Sequence, residues 1–103
     1  MIKIKNNKEV KVGDFIYSSY WDMVDKVVAI SETEWGRDWK VKQVTPVNPD
    51  SIIDVESVGE ERCHSTSKVG DSIMTKEEVI SFVRANCCQE ATEAVWKNFG
   101  ELQ

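Results

Sequence analysis

Apolar and polar residues alternate singly through much of the first half of the chain, then recur at three- and four-residue steps through its last quarter. Ile2 and Ile4 oppose Lys3 and Lys5, the period of a half-buried strand. Residues 6–9 have turn composition, and Val10 and Val12 supply the apolar face of a return strand. Gly13-Asp14 breaks that strand. Phe15-Ile16-Tyr17 then runs without a polar partner face, which predicts a strand covered on both sides.

Residues 18–22 read as a loop or bulge carrying Tyr20 and Trp21. Val27 to Ile30 form a second apolar strand. Residues 31–38 are polar apart from Trp35, with a bend at Gly36. Trp39-Lys40-Val41-Lys42 alternates again, placing Trp39 and Val41 on one face. Pro46 and Pro49 confine the next segment to an edge or a connector. Ile53 and Val55, opposite Asp54 and Glu56, make a last strand that Gly59 ends. Residues 64–71 read as an exposed connector.

The period then changes. Thr75 and Glu78 are spaced as a capping box, Met74 and Val79 as a hydrophobic staple, and Glu77 and Glu78 suit the positive end of a helix dipole. Ile80, Val83, Cys87, Ala91, Ala94 and Val95 share one helical face, and Gly100 is a stop signal. Asn86-Cys87-Cys88 leaves open whether residues 75–99 form one helix or two. Lys11-Val12-Gly13-Asp14 recurs as Lys68-Val69-Gly70-Asp71, with divergent flanks; turn chemistry used twice accounts for it.

The order of elements predicts an α+β fold: a small curved antiparallel sheet, or an SH3-like barrel, of about five strands followed by a C-terminal helical segment. The chain reads as a single domain over residues 1–103, with a strand-rich part at 1–58, a connector at 59–74 and a helix or helix pair at 75–100. The Val12-Gly13-Asp14-Phe15-Ile16 stretch, the aromatic loop, Val27 to Ile30 and Trp39 to Val44 together resemble an SH3-like small barrel over residues 8–58. That resemblance implies aromatic loops lining a groove; it names no family and no function.

At 103 residues, 41% hydrophobic and 30% charged, the chain is long enough to bury a core without disulfides or metal. Cys63, Cys87 and Cys88 are odd in number and two are adjacent, unlike a secreted disulfide scaffold. No apolar run approaches a membrane span and the start lacks a signal-peptide core, so a soluble, cytoplasmic protein with no membrane partner is expected. The net charge of −5 is uneven: residues 1–47 hold 8 Lys/Arg against 7 Asp/Glu, and residues 48–103 hold 5 against 11. An acidic total disfavours general affinity for nucleic acid.

Tyr17, Tyr20, Trp21, Trp35 and Trp39 are the candidate partner-binding residues, because aromatic walls hold peptides, cations or unstacked bases. Trp39 is in phase with Val41 and Tyr17 adjoins an apolar triplet, which argues for packing. Trp21 and Trp35 lie among Asp22, Glu34 and Arg37, where packing alone needs no indole. Cys63-His64 with Cys87-Cys88 has poor spacing for zinc, and adjacent Cys63 and His64 need not meet as a nucleophile pair. Asp22 and Asp25, or Glu60 and Glu61, are carboxylate pairs without a motif. Lys3, Lys5, Lys8 and Lys11 with Lys40 and Lys42 offer a basic strip, or merely a solvated strand face. No cofactor, metal or catalytic residue is assigned. These features point to a small non-enzymatic binding protein, an accessory or inhibitory module that recognises another protein through aromatic loops and an acidic face. The alternatives are a nucleic-acid binder using stacking and the N-terminal lysines, or an acidic mimic of nucleic acid.

Overall fold

A computed structural model describes residues 1–34, 36–47, 54–64 and 71–102. Six strands occur along these residues: β1 (Ile2–Lys3), β2 (Phe15–Ser18), β3 (Met23–Thr33), β4 (Gly36–Gln43), β5 (Glu61–His64) and β6 (Ser72–Met74). Two helices follow, α1 (Lys76–Asn86) and α2 (Gln89–Asn98). The strands lie in the order β1-β6-β2-β3-β4-β5, every neighbouring pair antiparallel. The fold is α+β, a curved antiparallel sheet followed by C-terminal helices.

The sheet is not closed into a barrel, so the SH3-like resemblance holds only loosely. The reason lies in β6. This strand comes from the stretch read as a connector, and it inserts between β1 and β2, with Ile73 opposite both Ile2 and Ile16. β5 comes from the same stretch and adds to β4 on the far side. Among the described residues, β1 and β5 each have one neighbouring strand and remain as edges.

Phe15-Ile16-Tyr17 is covered on both sides, as a triplet without a polar face requires. Phe15 packs with Val24, Val44, Met74, Val79, Val83, Val95, Phe99 and Leu102 beneath the helices. Ile16 points the other way, into a second cluster with Ile4, Val10, Val27, Trp39 and Val41. The long β3–β4 hairpin slips register between Val27 and Ala29, a bulge that sharpens the local twist. A buried polar group binds the sheet's edge. The Arg62 guanidinium on β5 meets the Asp25 carboxylate at 3.1 Å, while Gln43 Nε2 donates to the Thr45 carbonyl and to Ser57 Oγ.

The first residues depart from their pattern. Ile4 and Val10 are buried, but Ile2 and Val12 are exposed. Residues 7–9 form a 3-10 turn, and the Lys11 amide donates to the Asp14 carboxylate at 2.9 Å. This turn, with Gly13 at a φ of 99°, takes the place of the expected return strand. Val55 likewise lies in a 3-10 turn (Val55–Ser57) rather than a last strand, and Ile53 lies outside the described residues.

The helical segment is two helices. Thr75 caps α1 through the full reciprocal box with Glu78. Cys87 ends α1, and Cys88 caps α2, its Sγ accepting from the Ala91 amide at 3.4 Å. Val79, Val83, Ala91 and Val95 face inward from the two helices. Lys26 on β3 pairs with Glu101 past the end of α2, tying the last turn to the sheet.

Candidate functional site

Residues 19–22 connect β2 to β3, closing on the Ser18–Met23 pair. The Trp21 amide donates to Ser18 Oγ at 3.5 Å, and Asp22 adopts a φ of 49°. That left-handed conformation suits a short polar side chain. The tight turn pushes its two aromatic residues outward: Tyr20 is 83% exposed and Trp21 52%. Their rings meet edge to face, with centroids 4.8 Å apart and planes at 80°.

Tyr17 braces this turn from below. Its hydroxyl donates to Asp22 Oδ1 at 2.5 Å, and its ring packs against Phe82 of α1 at 5.5 Å. The bond to Asp22, partial burial and the nearby carboxylate charge push the Tyr17 phenol up to about 12. It therefore keeps its proton and continues to donate throughout the neutral range.

Phe82 carries the surface onward. It lines a groove of about 380 Å³ together with Met1, Met74, Glu77, Glu78 and Ser81. The lining is mainly apolar, with the carboxylates of Glu77 and Glu78 among it. The N-terminal amine bonds Glu78, and with the Thr75 amide it holds the Glu78 carboxyl below its usual range. Glu77 is exposed. The aromatic turn, Tyr17, Phe82 and the acidic groove thus form one connected surface.

Trp39 does not belong to it. Its ring is 1% exposed within the second core cluster, because residues alternating with Val41 face inward. This corrects its inclusion among the partner-binding candidates. Trp35 lies outside the described residues. Of the aromatic candidates described, the structure brings Tyr17, Tyr20 and Trp21 together. The groove was missed in the sequence. Phe82, three residues after the buried Val79, flanks the inward face of α1 and packs against the core, and an aromatic residue in that position was the available signal.

The remaining candidates are dispersed. Cys63 is exposed on β5, whereas Cys87 and Cys88 lie partly buried at the helix junction. Burial pushes the Cys87 thiol up to about 12, with a smaller contribution from Cys88. Among the described residues, no three His, Cys, Asp or Glu side chains form a cluster able to hold a metal. Asp25 is engaged by Arg62, and Asp22 by Tyr17, so the two do not form an acid–base pair. In the lysine series Lys3, Lys5, Lys8 and Lys11 are exposed, while Lys40 reaches Glu61 at 3.8 Å. No described helix is long and apolar enough to cross a membrane.

No known protein family, curated protein or solved structure matches this chain.

Proposed function

We propose that this chain is a small non-enzymatic module that recognises another protein through the β2–β3 turn and the adjoining acidic groove. The observation that carries the reading is the outward placement of Tyr20 and Trp21 on a turn that Tyr17 and Asp22 hold in shape. Rigid, exposed aromatic side chains lose little entropy on binding and supply large contact area. Phe82 and Met74 extend that area with an apolar trough, and Glu77 adds a negative charge to it.

Nucleic acid suits the surface less well than protein, because Asp22 and Glu77 would repel phosphate beside the very rings that would stack on bases.

The test is affinity capture from lysate of the native cell with tagged wild-type chain and with a Tyr20→Ala/Trp21→Ala double variant. A protein identified by mass spectrometry on the wild type and lost on the variant, with unchanged melting temperature, supports the reading. An identical set of captured proteins on both removes it.

A further inference from the structure

We infer that the β2–β3 turn receives an arginine side chain from a basic segment of the partner, stacked on the Tyr20–Trp21 corner and bonded to Asp22. This rests on the protein-recognition reading and names its chemistry.

The rings supply the first part. An edge-to-face pair consumes the edge of one ring and one face of the other, so each ring still offers a face to a third group. Those faces carry the negative lobe of the ring quadrupole and attract cations. Among the described residues, no lysine or arginine of the chain lies over either ring; the cation–ring contact found is Lys26 over Phe15.

Asp22 supplies the second part. Its Oδ1 is fixed by the Tyr17 hydroxyl, and its Oδ2 has no hydrogen-bond partner among the described residues. Nor does Asp22 have an ion-pair partner among them. The carboxylate is therefore oriented from one side and open on the other, next in sequence to two exposed rings. Arginine fits this combination better than lysine. A planar guanidinium lies flat on an aromatic face while an N–H at its edge reaches a carboxylate oxygen. The net charge of −5, with Glu77 on the same connected surface, steers a basic segment toward it.

The experiment follows the Trp21 indole and Asp22 amide signals of the isotope-labelled full chain by NMR. Three acetylated and amidated peptides serve as probes, Gly-Ser-X-Ser-Gly with X as arginine, its neutral isostere citrulline, or lysine. The arginine peptide should bind roughly 3- to 30-fold more tightly than the citrulline peptide, and more tightly than the lysine peptide. Asp22→Asn should remove most of the preference for arginine over citrulline. That variant keeps an acceptor for Tyr17 and a residue type that tolerates positive φ, so the turn persists.

Equal binding of arginine and citrulline overturns the inference, as does lysine matching arginine, a full preference surviving in Asp22→Asn, or no shift with any peptide. If the Tyr20→Ala/Trp21→Ala variant loses a captured protein while arginine and citrulline bind alike, the recognition reading stands and the arginine assignment falls. If arginine is preferred but capture is unchanged by the variant, the cation site stands and the protein-partner reading falls.

Discussion

The Tyr17 hydroxyl donates to the Asp22 carboxylate at 2.5 Å and fastens the aromatic turn to strand β2. The phenol's pKa rises from 10.0 to about 12, chiefly through this bond. The unfolded chain loses the proton first as pH climbs, so the contribution to stability is complete below pH 10 and disappears as pH rises through about 12. Ultraviolet titration of phenolate should show one tyrosine ionising late, and Asp22→Ala should return it toward its ordinary value. A late titration that persists in Asp22→Ala would mean burial, not the bond, sets it.

Two tryptophans should respond oppositely to truncation. Trp39→Ala removes a fully buried ring and should cost about 3–5 kcal/mol. Trp21→Ala removes a half-exposed ring and should change stability by less than about 0.5 kcal/mol. Urea unfolding of both variants checks this; similar losses would place Trp21 in the core.

Thr75→Ala should cost about 1 kcal/mol, because it leaves the Glu78 amide without its acceptor at the start of α1. Thr75→Ser should recover most of the loss. Chemical denaturation provides the measurement, and full stability in Thr75→Ala would deny the cap a role.

The three thiols should separate by reactivity. Cys63 is exposed, whereas burial holds the Cys87 thiol protonated up to about pH 12. A neutral-pH thiol reagent should modify Cys63 before Cys87, with Cys87 released on unfolding. Peptide mapping of partly modified protein would show the order, and early Cys87 labelling would contradict its buried placement.

The central fold was legible where local pattern and tertiary demand coincide. Phe15-Ile16-Tyr17 had no polar face and is covered on both sides. Trp39 shared its phase with Val41 and both are buried. The Thr75–Glu78 spacing predicted a capping box that is present in full. The pattern failed where a distant partner decides. Ile2 looked like a core residue, yet β1 is a two-residue edge and only Ile4 reaches the interior. Ser72-Ile73-Met74 is too short to signal a strand by itself, and becomes one because β1 and β2 flank it. The helix break was obscured because a thiol, Cys88, serves as the second cap in place of the usual hydroxyl or carboxylate.

The candidate site was half visible. Trp21 sits among polar residues, where packing alone needs no indole, and the structure exposes it together with Tyr20. Their support was hidden, because Tyr17 meets Phe82 across 65 residues of chain and no local period encodes that contact. The groove was hidden for the same reason: Met74 and Phe82 belong to different elements that become neighbours only when α1 lies on the sheet.

Placing β6 between β1 and β2 also governs how the molecule comes into being. Ile2 meets Ile73, so the margin of the sheet at β1 waits for a strand 71 residues further along the chain. A loop of that span must be closed before any hydrogen bond there is gained, which slows assembly relative to a simple meander. Until then β2 shows a bare backbone flank, and during that interval the nascent chain is most exposed to mispairing with a second copy.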